Sequence, residues 1–366
     1  NFRFTQIDGS NYTISGTQYD VPALGSRVAG DLNSAPDPSF IGKKMNDIFF
    51  HRNRLGVLAD ENVIMSRSGE FFEFFPETVT STLDTDPIDV ASTHTKVSIL
   101  RHAVSFDEEL LIFSDQSQFM VTGGATLTAG NISINVTTEF EADRKVKPVG
   151  SGSNVFFTFN KGNFTGVREF FVASDTDTKK ADDITANVPK FIPANVFKLA
   201  TSTTENILIA LSGDEDNALY VFQYYVAQNK RLQSAWHKWT YGTSTSDKIL
   251  NIDFIENTLF IVNERSDGVY LETIDVSPAL TDTGETYLTH LDRKLNNTQI
   301  TESYNAGTNQ TTITLPYAIN NTMKVVGRSG ASNKAGQEIA TVSQSGTSIV
   351  VSGDITAQNF FIGEQY

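Results

Sequence analysis

The residues best equipped for chemistry in this chain are its carboxylates. Asp84, Asp86 and Asp89 lie close together, Asp175 and Asp177 precede Asp182 and Asp183, and Asp214, Glu215 and Asp216 precede Asn217. Oxygen-rich clusters of this kind can hold Ca²⁺. None follows the order of an EF-hand loop, which requires a Gly at its sixth position and a closing Glu. Asp and Asn are equally at home in turns, where their side chains hydrogen-bond the local backbone. Solvated connections between strands are the simpler reading. A glycoside hydrolase needs two carboxylates at a fixed separation around a sugar. The 43 acidic residues supply sequence-distant pairs without any specificity. Trp236 and Trp239, with Tyr241, could form a sugar-stacking shelf. Their alternation within Ser234 to Thr240 suggests an outer strand with both indoles on one face, where packing between sheets is the plainer role.

Other signatures are missing. The five histidines (His51, His94, His102, His237, His290) are not paired at ligand spacing, and there is no cysteine, which excludes thiol chemistry and Cys-based zinc sites. There is no G-x-S-x-G elbow, Walker loop or G-x-G-x-x-G. Gly150-Ser151-Gly152-Ser153 leads into a strand, so it offers no helix N-terminus to a phosphate. Accordingly no catalytic, cofactor-binding or metal-binding residue is assigned, and no cofactor is expected. Seven N-x-[ST] triplets (Asn11, Asn131, Asn135, Asn163, Asn296, Asn309, Asn320) fit a secreted glycoprotein, but an Asn-, Ser- and Thr-rich chain yields such triplets by chance.

The elements that would position these residues are strands. Apolar or alternating runs of roughly five to nine residues are separated by Gly, Ser, Asn and Asp. Phe, used 26 times, suits a half-buried pleated surface. Helical spacing is scarce; Tyr224 to Leu232 could make one turn, but its flanks read as strand. The longest apolar runs resemble Ile207 to Leu211, far short of the about 20 residues of a spanning helix. The formal charge of −15 argues against tight gripping of DNA or an anionic membrane.

One device recurs: a polar turn, an apolar strand, a second turn, a more amphipathic strand. It recurs at Val63 to Ser66 with Glu70 to Phe75, and at Leu110 to Ser114 with Gln118 to Thr122. The third and fourth copies are Val155 to Phe159 with Val167 to Ala173, and Ile207 to Leu211 with Ala218 to Tyr225. The fifth is Thr258 to Val262 with Val269 to Ile274. A further strand usually precedes the first turn: Leu55 to Leu58, Val97 to Val104, Val196 to Ala200 and Ile249 to Phe254. From Asn62 through Glu109, Asn154 and Asn206 to Asn257 the steps are 47, 45, 52 and 51 residues. A period of about 40–50 residues with three or four strands per unit is that of propeller blades. The regular spacing favours this over a sandwich of ordinary meanders.

The expected fold is therefore all-β: a β-propeller of three- to four-stranded blades with additional small β domains. Residues 1–40 read as an N-terminal β segment and linker, part of a platform-like region, ending in a loop with Pro22, Pro36 and Pro38. Residues 41–278 read as the propeller. Residues 279–366 are richer in Thr, Asn and Gly and read as an accessory β module. Its strands are Thr311 to Leu315, Met323 to Val326, Glu338 to Val342, Ser348 to Val351 and Asn359 to Ile362. The chain opens at Asn1 and stops at Tyr366 inside an apparent strand, so a middle portion of a longer polypeptide is expected.

A longer motif adds what these patterns cannot. Pro38 to Gly42 is followed by Met45-Asn46-Asp47-Ile48-Phe49-Phe50-His51-Arg52-Asn53-Arg54-Leu55-Gly56-Val57-Leu58. Glu61 to Arg67, Pro76 and Asp86 to Val90 come next, then Glu108 to Asp115. Asp182 to Thr185, Val188-Pro189, Phe191 to Pro193 and Ser234 to Trp239 complete the series. These segments resemble, in order, the tail nozzle proteins (tail tubular protein B) of short-tailed, podovirus-type bacteriophages. The likeness covers about residues 36–276 and weakens beyond 279, where Tyr287 to Lys294 and Val350 to Gly363 are still similar.

The resemblance implies a structural role and no catalytic residues. It implies a propeller-containing ring, six copies in relatives, that conducts double-stranded viral DNA out of the capsid. The implied partners are further copies of the chain as a hexamer, the tail adaptor (tail tubular protein A), the tail fibres, and the host envelope at infection. The implied location is the virion tail, after assembly in the host bacterial cytoplasm. Six copies at −15 would carry about −90 in all, which suits a conduit that must not hold its cargo. The expected lumen is lined by Asp, Glu, Ser, Thr and Asn. Arg52 and Arg54 fall between apolar neighbours, and at least one is expected to pair with a carboxylate or carbonyls. The competing functions are a virion-associated glycan hydrolase and a receptor-binding propeller.

Overall fold

The computed structural model describes residues 23–93, 98–124, 126–173, 178–227, 230–241, 247–278, 280–330 and 334–365, plus the backbone of two short strands before residue 23. Every helix-or-strand element among them is a strand. Those two short strands, β1 (Arg3–Gln6) and β2 (Tyr12–Ser15), pair antiparallel.

Five meanders follow in chain order. The first sheet is β3 (Met45–His51), β4 (Arg54–Ala59), β5 (Asn62–Met65) and β6 (Ile88–Ala91). The second is β7 (Leu100–Phe106), β8 (Glu109–Ser114), β9 (Gln118–Thr122) and β10 (Ser133–Thr138). The third is β11 (Val149–Ser151), β12 (Asn154–Lys161), β13 (Phe164–Ala173) and β14 (Thr178–Asp183). The fourth is β15 (Val196–Ser202), β16 (Ile207–Ser212), β17 (Glu215–Ala227) and β18 (Lys230–Thr240). The fifth has three strands, β19 (Lys248–Ile255), β20 (Thr258–Arg265) and β21 (Gly268–Asp275). The described residues of Tyr224 to Leu232 belong to β17 and β18, as their strand-like flanks suggested.

The chain divides into two compact units, and the division runs through the third sheet. The first unit is residues 1–144, 153–157 and 169–182; the second is 145–152, 158–168 and 183–366. In the first unit, Phe49, Leu58, Val63, Met65 and Ile88 of the first sheet share one core with Leu100, Leu110, Ile112, Phe119 and Val121 of the second. The opposite side of the second sheet packs Phe106 and Phe113 edge-on or tilted against Phe170 and Phe157, at 5.2 and 5.1 Å between ring centres. In the second unit, Ile207, Ile209, Leu219 and Val221 of the fourth sheet pack on Ile249, Ile252, Leu259 and Ile261 of the fifth.

Burial explains the strand texture. β16 is buried at every residue, so its sequence is a continuous apolar run rather than an alternation. β20 alternates buried and half-buried residues. The first strands of successive sheets neighbour one another: β3 lies by β7 in the first unit, and β11 by β15 by β19 in the second. Polar side chains stitch them. Asn46 Nδ2 donates to Leu100 O at 2.8 Å, and Asp47 Oδ2 accepts from Ala103 N at 2.9 Å. Thr201 Oγ1 donates to Gly150 O at 3.0 Å, and Ser202 Oγ to Glu256 O at 2.7 Å.

Two details differ from expectation. Glu70 to Phe75 is not a strand; the last strand of the first sheet is β6. The turn at Ser68-Gly69 ends the pairing, and the aromatic run packs as loop, with Phe74 edge-on to Phe40 and Phe71 edge-on to Phe50. The repeat is also one strand out of register in the first unit of the period. Asn62 follows the second turn of its sheet, whereas the other reference residues follow the first. The matching first turn is Arg52-Asn53, whose φ values of 44° and 60° parallel the 49° and 63° of Asp107-Glu108. Two consecutive positive φ angles are what a two-residue hairpin requires.

The last strands build two interleaved sheets. One is β22 (Leu291–Asn296), β29 (Phe360–Gln365), β25 (Met323–Gly327) and β26 (Glu338–Ile339). The other is β23 (Thr301–Asn305), β24 (Gln310–Thr314), β28 (Ser348–Ser352) and β27 (Thr341–Ser345). Ile313, Met323, Val325, Ile349, Val351, Phe360 and Ile362 close a common core between them.

Candidate functional site

The most demanding side chains in the molecule are buried arginines. Arg54 begins β4 and is 1% exposed. Its Nη1 donates to Ser66 O and Asp86 O, each at 2.7 Å, and its Nη2 to Asp84 O at 2.8 Å and Leu127 O at 3.2 Å. Burial presses its pKa downward and the nearby Asp86 charge opposes that. A planar fork with five N–H donors can meet several carbonyls at once, which an ammonium cannot. Arg54 thereby ties the end of β5, the long β5–β6 loop and the β9–β10 loop to one point. Arg52, in the β3–β4 turn, is exposed and donates to Gly124 O at 2.8 Å. The expected pairing of these arginines is found, with Arg52 in the turn itself and Arg54 at the start of the strand that follows.

A second group lies in the other unit, where the fifth sheet meets β22 and β29. The Arg265 and Asp247 side chains are each 2% exposed, with Nη1 and Oδ2 3.6 Å apart. Arg265 Nη2 contacts Glu272 Oε1 at 3.0 Å, and Tyr241 OH donates to Glu272 Oε2 at 2.5 Å. Arg293 Nε lies 3.8 Å from Glu272 Oε1, and its Nη1 lies 3.2 Å from Glu364 Oε1. Its guanidinium sits over the Tyr317 ring, 3.7 Å from the centre. Burial works against the Arg265 charge, but Glu272 outweighs it and the pKa is raised. Burial, then the Glu272 charge, raises the Tyr241 phenol. Asn263 is fully buried, and both its side-chain polar atoms, like Asp247 Oδ1, lack a direct partner; the site is polar enough for internal water.

The carboxylate clusters singled out in the sequence serve the fold. Asp89 accepts from Ser39 N and Asn62 Nδ2, at 2.8 and 2.9 Å. Asp183 binds Lys161 Nζ at 2.7 Å, while Asp175 and Asp177 lie outside the described residues. Asp214 accepts from Asn195, and Glu215 accepts from both Lys238 and Tyr220. No group of three or more His, Cys, Asp or Glu is placed to hold a metal among the described residues. His94 lies outside them, and His102 Nε2 is 3.1 Å from Arg144 O.

The tryptophans do not share a face. They are three residues apart on β18, and side chains alternate with period two. Trp236 packs on Phe222 and donates to Ile184 O at 2.9 Å, while Trp239 packs into the core shared by the fourth and fifth sheets. A half-open cavity of about 230 Å³ lies beside β22, lined by Asp282, Lys294, Arg328 and Phe361 among others. Its charges are matched within the protein: Lys294 to Asp282 at 2.6 Å and Arg328 to Glu285 at 3.2 Å.

Comparison with known proteins supplies the decisive observation. The sequence profile of the bacteriophage nozzle proteins matches residues 1–366. The chain belongs to the bacteriophage nozzle protein family. The tail tubular protein gp12 of Escherichia phage T7 is 35% identical over 292 residues, covering 79% of this chain. That match spans only 36% of the T7 protein, so the chain corresponds to roughly a third of that relative. Family membership carries a structural role in the phage tail and a place in the virion tail. Among solved structures, Kluyveromyces lactis Hsv2 overlaps 73% of this chain and 76% of its own, with 10% identity and a TM-score of 0.38. The extracellular domain of a B. thetaiotaomicron hybrid two-component system overlaps 86% of this chain and 51% of its own, with 9% identity and a TM-score of 0.41. Superpositions of this quality do not define a common fold.

Proposed function

We propose that this chain is the part of a tail nozzle subunit that forms a ring-shaped conduit for viral DNA. The carrying observation is the nozzle-family match along the whole chain. The conduit is a homo-oligomer, six copies by the family's precedent, attached to the tail adaptor and helping to seat the fibres. It assembles in the host cytoplasm and meets the host envelope only at infection.

Residues 41–278 are read as the β-propeller, 1–40 as a linker segment and 279–366 as an accessory module on the fibre or tip side. Five consecutive meanders with neighbouring first strands support the propeller reading. The role is not enzymatic in this reading. The net charge of −15 per copy supports a wall that repels phosphate and lets duplex slide. Mass photometry of the purified chain tests the assembly. A species of six times 40.2 kDa is expected, and a monomer at every concentration would contradict it.

A further inference from the structure

The seam between the fifth sheet and the C-terminal sheets carries too much negative charge. Two guanidiniums, Arg265 and Arg293, face three carboxylates, Asp247, Glu272 and Glu364, with side-chain exposures of 2%, 14% and 6%. A further carboxylate, Asp292, sits directly opposite Glu364 in the β22–β29 ladder. Like charges directly opposite on a sheet repel. On the far side of Glu364 its ladder partner is Met323 on β25, which offers no charge. From the fifth sheet and the 315–319 loop, Tyr270 and Tyr317 face Arg293, and Asp267 holds Tyr270 OH at 2.8 Å. Among the described residues, the neighbouring cations Lys294 and Lys324 pair elsewhere, with Asp282 and Glu338.

We propose that Glu364 takes up a proton when the C-terminal sheets seat on the fifth sheet, which makes this seam a proton-dependent clamp. The proton comes from solvent and resides on the Glu364 carboxyl, whose remaining carbonyl oxygen still accepts from Arg293 Nη1. Neutralising this one group leaves two guanidiniums against Asp247 and Glu272 among the buried groups, with Asp292 at the solvent edge. Burial raises the Glu364 pKa more than Arg293 and then Arg265 lower it, and Asp292 adds a smaller rise. A carboxyl whose folded pKa exceeds its unfolded value favours the seated state as pH falls, and that contribution fades as pH rises through the raised value. The inference rests on the fold alone and stands apart from the nozzle reading.

Thermal unfolding of the full chain between pH 5 and 8 tests it. Glu364→Gln keeps the shape and hydrogen bonding but removes the charge. It is expected to raise the midpoint at pH 8 by about 2 °C or more, the gain shrinking as pH falls. A lowered midpoint at both pH values would show Glu364 to be an ordinary ion-pair partner and overturn the clamp. Should that variant fail to fold, the carboxyl ¹³C shift of Glu364 followed against pH in the wild-type chain decides: titration above the ordinary glutamate range supports the clamp, and titration within or below that range overturns it. Amide exchange over 291–296 and 360–365 reads the seating directly. Loosening toward pH 8 beyond the intrinsic pH effect is expected in wild type and not in Glu364→Gln. Protection that does not change with pH would refute the proposal.

Discussion

Arg54 in the first unit and Arg293 in the second face the same problem: a guanidinium out of water must be matched at every donor. Arg54 is matched by backbone carbonyls, which never titrate. Arg293 meets Glu272, Glu364, the Ala318 carbonyl and the Tyr317 ring, while its Nη2 has no hydrogen-bond partner. The first arrangement is permanent and locks a long loop. The second includes Glu364, whose proposed protonation sets how firmly it holds. The difference is between a fixed hub and a contact that pH can tune.

Breaking the permanent hub should have the largest effect. Arg54→Met is expected to cost about 3–5 kcal/mol, because buried carbonyls are left without donors. Arg54→Lys should recover little of it. Urea unfolding at pH 5 and 8 should give the same loss, and a strongly pH-dependent loss would erase the contrast with Arg293. Arg293→Ala should cost about 2–4 kcal/mol, more at pH 8 than at pH 5, since Glu364 then loses its ion-pair partner. Adding Glu364→Gln should restore part of that loss, and strict additivity of the two changes would deny their coupling.

Gly56→Ala sharpens the packing side of the comparison. An added Cβ would fall 2.1 Å from the ring of Phe49, its cross-strand partner. A loss of about 1–3 kcal/mol is expected in a denaturant titration. The smallest effect belongs to the stitch between first strands. Asn46→Ala removes one hydrogen bond to Leu100 O and should cost about 1 kcal/mol.

The sequence disclosed the second strands well, because sheets stack on both their faces. The run Ile207 to Leu211 could only be an inner strand, and β16 is buried throughout. It disclosed the outer strands poorly. Thr178–Asp183 has no apolar residue except Ala181, and its place is set by the neighbouring strand rather than by its own pattern. Glu70 to Phe75 misled for the opposite reason: aromatic residues favour strands, but here Phe74 packs into a small core from a loop while Phe71 and Phe72 stay exposed. Arg54 was readable as a charge among apolar neighbours. The Arg265–Glu272–Arg293–Glu364 cluster was not, because its members come from four strands or strand ends joined only by the fold.

The central claim is a conduit that handles DNA without holding it, and a cryo-electron microscopy map of the assembled chain tests it most directly. The account predicts a closed ring with an open axial bore walled mainly by Asp, Glu, Ser, Thr and Asn. A continuous stripe of Lys and Arg down that bore, or an assembly with no bore, would contradict it.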